Sequence, residues 1–154
     1  MTQDDWDSLV DEDDIAEPWR RFVGFVIDWM VLVLITLVIV SVLGIDLGDG
    51  DALRLPTSAR FVQGLVGAAY YIGFTVSRGQ TPGKMLIGTR VVMERTSLIP
   101  GLGPSALRWA VPGVFVFLPG VSIISALIYG WLLFDTLRRG LHDKAAKTVV
   151  VRTR

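Results

Sequence analysis

The sequence predicts an all-α integral membrane protein. The expected architecture is a helical bundle of four membrane segments, two full-length and then a short helical hairpin, with a small cytoplasmic β-type or amphipathic element. Three observations carry this reading. The chain is 154 residues long, about one domain, and 51% hydrophobic, too apolar for an ordinary water-soluble domain of that size. Its apolar residues fall in long blocks rather than scattering. Its basic residues are distributed so that an even number of crossings keeps the most basic loop and the basic tail on one side.

The first block organises the rest. Phe22–Leu43 is 22 residues with one ionisable group, Asp28, enough to cross a hydrocarbon core of roughly 30 Å as a helix. Arg20 and Arg21 stand at its entrance. Arg21, Gly24 and Asp28 are spaced to share one helix face. A carboxylate inside a membrane helix is costly, by about 2.5–3.5 kcal/mol on insertion scales, so Asp28 is expected to face protein or water rather than lipid.

Ahead of that block, residues 1–17 hold eight acids and no base, which reads as a solvated acidic cytoplasmic tail. The start lacks the positive flank of a signal peptide, so the first apolar segment is expected to persist as an anchor. The domain proper is placed at 18–154.

The following loop, Ile45–Thr57, contains Asp46, Asp49 and Asp51. They alternate as in a calcium loop, but the later bidentate acid that an EF-hand needs does not follow. A second helix is expected from about Ser58 to Ser77. Gly64 and Ala68 form its small-residue packing face, with Gly24 serving the first helix in the same way. Gln63 is a candidate interhelical hydrogen-bonder, and Tyr70 and Tyr71 read as packing or interface residues.

Gly79–Lys84 has a passing likeness to a phosphate loop. Three residues separate Gly79 from Gly83 where four are required, and Met85 follows Lys84 where Ser or Thr is required. Nucleotide binding is therefore excluded. Lys84–Met93 is amphipathic and β-branched toward its end, suiting a surface-lying segment or a strand. The β-branched run Thr148–Val151 is a candidate to pair with Thr89–Met93.

The last apolar block, Ala106–Phe134, would be about 43 Å long as one helix. Pro119-Gly120 near its middle is a turn signal. Two short helices, about 105–118 and 120–136, fit better and return the tail to the side of the N-terminus. Ser122, Ala126 and Gly130 form a small-residue face on the second of them, read as a helix contact. Lysine and arginine number two at the first entrance, two in the first loop, five in the second loop and six in the tail. That distribution places both termini in the cytoplasm, in a multi-pass protein of the plasma membrane.

The chain has no cysteine and one histidine, His142, which removes thiolate chemistry and a multi-histidine metal site within one chain. No nucleophile–base pair or metal cluster is visible, so no enzyme, no cofactor and no metal is expected. Arg108 is expected to enter the membrane on the side of Arg21 and to be the cation for Asp28, with Gln63 a further donor. Arg21 is then expected to meet Asp143 or Asp135. Asp135 with Arg138 and Arg139 is also an ordinary helix-end pairing. His142 beside Asp143 reads as a surface residue in a polar turn, with pH sensing the sharper alternative.

Three pieces together resemble the RDD family of small membrane proteins, named for one arginine and two aspartates. They are R-F-V-G-F-V-I-D at Arg21–Asp28, G-Q-T-P-G-K at Gly79–Lys84 with L-I-G-T-R-V-V after it, and R-R-G-L-H-D-K-A-A-K-T-V-V-V at Arg138–Val151. Carried over by position, the resemblance makes Arg21 and Asp28 the arginine and first aspartate. Asp143 is the choice for the second, and Asp135 the competitor. Lys147 departs from the resemblance, since the family more often has glycine there. The resemblance implies a membrane protein of poorly assigned activity, with transport often suspected, and no reaction.

Two functional classes follow. One is a structural or accessory subunit that packs against a larger membrane assembly or a second copy of itself. The other is a transport-type protein moving a proton, cation or small ligand with Asp28 as its intramembrane carboxylate. The expected partners are the lipid bilayer and such an assembly or homo-oligomer. Nucleic acid is not among them.

Overall fold

The computed structural model describes residues 14–45, 56–113, 135 and 137–153. Helix α1 spans Pro18–Val42, with proline at its start, where a missing N–H costs nothing. Its buried residues are Arg21, Gly24, Asp28, Leu32, Thr36 and Val40, a single stripe recurring every three or four positions. Its other faces expose Phe22, Trp29, Met30, Leu34, Leu37, Val38 and Val42. This inverts the pattern of a water-soluble helix, which buries its apolar stripe and exposes its polar one. Lipid suits such an exterior, and at about 37 Å the helix is long enough to cross. Among the described residues, α1 is the helix both long and apolar enough to do so.

Helix α2 spans Thr57–Arg78 and stops at Gly79, which takes φ +67°, the left-handed conformation that ends helices at low cost for glycine. Its buried residues are Ala59, Gly64, Gly67, Tyr70 and Thr75. The expected Gly64/Ala68 face is therefore rotated: Gly64 is buried, Ala68 only partly so, and Gly67 takes the second place. A β-carbon on Gly67 would lie 3.6 Å from Trp109 Nε1, on the helix α4 described next.

Beyond α2 the chain builds a small polar cap. Helix α3 (Pro82–Ile87) lies against α1 and leads into strand β1 (Thr89–Met93). Helix α4 (Leu102–Gly113) packs on α2, with Pro112 in its last turn. After 113 the described chain resumes at Asp135, forms helix α5 (Leu141–Ala146) and closes with strand β2 (Thr148–Arg152). The expected strand pairing is present: β1 and β2 run antiparallel with Thr89 opposite Arg152 and Met93 opposite Thr148. The run of β-branched residues suits a pleated surface buried on both faces, and Val91, Val149 and Val150 are at most 1% exposed.

The end of the acidic segment joins this cap. Ile15 bridges to Val151, and Ala16 N–H donates to Val150 O at 2.9 Å. Ile15 packs against Val92 and Val149, and Ala16 against Val91 and Val150. Glu17 pairs with Arg152 at 3.2 Å and Arg20 at 2.9 Å. A boundary at residue 17 thus cuts through packed structure, because two apolar residues among the acids fill the sheet. Of the helical hairpin expected at about 105–118 and 120–136, α4 supplies the described part of the first helix; residues 114–134, and with them Ser122, Ala126 and Gly130, lie outside the described residues.

Candidate functional site: two buried carboxylates

The cap meets the helices at two carboxylates, Asp28 and Asp143, each fully buried. They are held by different chemistry.

Asp28 is placed by the buried stripe of α1, two turns beyond Arg21. Among the described residues three groups donate to it. Tyr70 Oη on α2 reaches Oδ1 at 2.7 Å, Gly83 N–H on α3 reaches Oδ1 at 2.8 Å, and the Thr81 hydroxyl reaches Oδ2. The sequence of α3 explains the last two. Pro82 opens the helix and has no N–H, so Gly83 carries the first orphan donor of that helix end. Thr81, at the N-cap position, makes no side-chain cap to its own helix. The carboxylate of a neighbouring helix takes the capping role, and the threonine hydroxyl turns to it instead. Glycine at 83 is required by the same approach: a β-carbon there would stand 2.2 Å from Gly24 O and 2.8 Å from the Asp28 carboxyl carbon. Gly24 faces α3 in this contact rather than another membrane helix.

Asp143 is placed by the first turn of α5. Its Oδ2 accepts the Gly140 N–H at 3.1 Å, reaching back to the N-cap position. The same oxygen meets Arg21 Nη1 at 3.3 Å, and Oδ1 meets Arg108 Nη1 at 2.8 Å. Arg21 Nη1 also donates to the Arg138 carbonyl, and Arg108 Nη1 to Thr148 Oγ1 at 3.2 Å. Burial opposes ionisation of Asp143, but Arg108, His142 and Arg21 outweigh it and hold the carboxyl well below the usual range. His142 Nε2 lies 3.6 Å from Oδ1. It is 7% exposed, not the surface turn residue expected, because α5 tucks it under the cap. Burial, aided by Arg108, Arg21 and Lys84 against the pull of Asp143, pushes its imidazolium down to about 4.

The geometry redistributes the expected pairs. Arg108 meets Asp143, not Asp28, and among the described residues Gln63 makes no hydrogen bond to Asp28. Arg21 meets Asp143. Asp135 belongs to a separate cluster with Arg139 at 3.0 Å and Lys144 at 2.6 Å, and Arg139 continues to Glu94 at 2.7 Å. That cluster ties the returning chain to α5 and to the turn after β1. Lys84 lies on α3 beside Gly24, its Cα 3.7 Å from where a Gly24 β-carbon would be. It is partly exposed, yet its surroundings are dense. Desolvation and the nearby Arg108 push its ammonium down to about 7.

Tyr70 and Thr81 are the site residues that sequence reasoning missed. Tyr70 carried a signal only as an aromatic on α2. Thr81 lay inside the G-Q-T-P-G-K piece, where proline after threonine marks a helix start whose donors need an acceptor.

An uncharacterized membrane protein of Bacillus subtilis (strain 168), YteJ, is 29% identical over 136 residues, covering 86% of this chain and 78% of the relative. No solved structure matches. The RDD family profile matches residues 15–147, from the first cap residue that packs in the sheet to the end of α5. The chain is a small membrane protein and belongs to the RDD family.

Proposed function

We propose that this protein is a non-enzymatic structural or accessory subunit, whose buried charges fix its own helices while its apolar exterior meets lipid and a partner. One observation carries the reading: both buried carboxylates are engaged on both oxygens from within the chain, Asp28 by hydrogen-bond donors and Asp143 by a backbone N–H and two guanidiniums. Asp28 joins α1, α2 and α3. Asp143 joins α1, α4 and α5. Groups used in this way resemble registry devices, for which buried polar contacts are best attested, more than a site left open for cargo. The partner is a larger membrane assembly or a second copy of the chain, in the plasma membrane.

The path of the chain supports a multi-pass arrangement with an even number of crossings. Arg20 at the start of α1 donates to Ile87 O, and Val91 N–H, in the cap, donates to Gly79 O at the end of α2. Helix α4 leaves from the same cap, where Arg108 is bonded, and β2 lies in it. Ile15 and Val151 are neighbours in one sheet. The excess of basic residues on this side supports a cytoplasmic location for it.

The test is a native pull-down in mild detergent beside ion flux in proteoliposomes containing the protein alone. Recovery of one defined assembly or homo-oligomer, with no flux, is expected. Asp28→Asn is expected to assemble and Asp28→Leu to fail. Proton or cation flux that Asp28→Asn abolishes while leaving assembly intact would replace this reading with the transport one.

A further inference from the structure

The guanidinium of Arg21 is only partly used. Its Nη1 holds Asp143 and the Arg138 carbonyl, while its Nε and Nη2 are buried and have no hydrogen-bond partner among the described residues. The Arg21 side chain is 9% exposed. Orphaned donors on a buried charge are expensive, and a few such groups in a native structure need an explanation. These two atoms are also a particular pair. The Nε and Nη2 hydrogens of arginine lie parallel in one plane, the edge that receives two oxygens of a carboxylate or phosphate side by side.

The surroundings ask for the same thing. Three cations gather here from three elements: Arg21 on α1, Lys84 on α3 and Arg108 on α4. Against them stand two carboxylates, Asp143 and Asp28, all close enough to act electrostatically on Lys84. Asp28 is already taken by Tyr70, Thr81 and Gly83 N–H. Asp143 is shared between two arginines. Lys84 forms no hydrogen bond or ion pair among the described residues, and its surface is partly exposed. The cluster therefore carries one positive charge more than it can pair, with a two-pronged donor edge buried on Arg21 and a partly exposed lysine on α3.

We infer that Arg21 and Lys84, backed by Arg108, form a binding site for a phosphate oxyanion, two of whose oxygens lie on the Nε/Nη2 edge of Arg21 and a third toward Lys84. The position at the entrance of α1, beside the exposed Trp19 and Phe22, allows two sources: the headgroup of an anionic phospholipid or free phosphate.

The experiment uses the full chain in a zwitterionic detergent. Thermal unfolding is followed while short-chain phosphatidylglycerol or inorganic phosphate is titrated, for the wild type, Lys84→Gln and the control Arg90→Gln, a surface arginine on β1. Wild-type protein is expected to gain stability saturably. Lys84→Gln is expected to weaken binding on the order of tenfold, as for loss of one charge-assisted contact. The same variant should leave the ligand-free protein as stable as wild type or more so, because it removes an unpaired cation. A merely structural lysine would not give that opposite pair of effects. Arg90→Gln should change neither. Stabilisation by the lipid alone assigns the site to a headgroup, and by both ligands to phosphate in general. No saturable stabilisation by either, or equal losses in Lys84→Gln and Arg90→Gln, would overturn the site.

Discussion

Asp28 and Asp143 are equally buried and solve the problem of a buried carboxylate in opposite ways. Asp28 sits in the buried stripe of α1 and is held by two hydroxyls and a backbone N–H, with no cation bonded to it among the described residues. Asp143 sits in the cap and is held by two guanidiniums. Neutral donors distribute the work among three helices, so losing one leaves the others in place. Ion pairing concentrates it: two buried guanidiniums depend on one carboxylate. The first arrangement sets helix positions within the bundle, and the second locks the cap onto the bundle.

The sharpest way to break this contrast is Asp143→Ala. Removing the acid strands Arg21 and Arg108 together, and breaking a buried pair from one side costs about 3–5 kcal/mol. Chemical unfolding in detergent measures it. A cost no greater than that of losing a single Asp28 donor would show that the arginines find other acceptors and that the two centres are not different in kind.

Gly83→Ala comes next. Its β-carbon would stand 2.2 Å from Gly24 O, so α3 must move off α1 and Asp28 loses its backbone donor. Overpacking of this kind costs about 1–3 kcal/mol. Gly24→Ala, by contrast, meets Gly83 O at 3.5 Å, ordinary contact, and is expected to be mild. Equal effects at the two glycines would mean that α3 is not seated as described.

Tyr70→Phe removes one of the three donors to Asp28 and should cost about 1 kcal/mol, the typical net value of a hydrogen bond. Its effect should be well below that of Asp143→Ala in the same assay. A larger loss would make the tyrosine, rather than the shared set of donors, the anchor of Asp28.

The smallest effect is a gain. Lys147 ends α5 at φ +52°, a conformation unfavourable for a residue with a β-carbon. Lys147→Gly should stabilise by about 0.5–1 kcal/mol, the strain relieved less the entropy glycine adds to the unfolded chain. A loss of stability instead would show that the lysine side chain contributes more than its backbone costs.

These residues also show what was legible in the sequence. The stripe Arg21, Gly24, Asp28 was readable because helical spacing depends on position alone. The β1–β2 pair was readable because β-branched runs have few other uses in a cap. The partner of Asp28 was not, since charge suggested Arg108 while the structure uses neutral donors, whose residue types carry no mark of their role. Lys84 and Asp143 stood in recognisable motifs, but their place in one cluster depends on α3 packing against α1 and α5 against α4, a long-range fact. Ile15 and Ala16 were hidden by composition: eight acids in seventeen residues outweigh two small apolar ones in any window. Gly67 was passed over for Ala68 because both are small and lie one helix position apart, too close for spacing to separate.

The hydrogen bond from Ala16 to Val150 joins residues far apart in the sequence. A ribosome delivers Ile15 and Ala16 before α1, and the strand that receives them after α5. Between these moments the apolar residues of the leading segment have no sheet to cover, and Val91 and Val92 on β1 have no partner strand. The cap therefore serves as a completion mark: it closes only on a chain whose intervening segments have all been delivered. A chain that stops short of β2 displays an unpaired strand edge and a loose leading end together, the features by which a cell's proteases distinguish an unfinished membrane protein from a finished one.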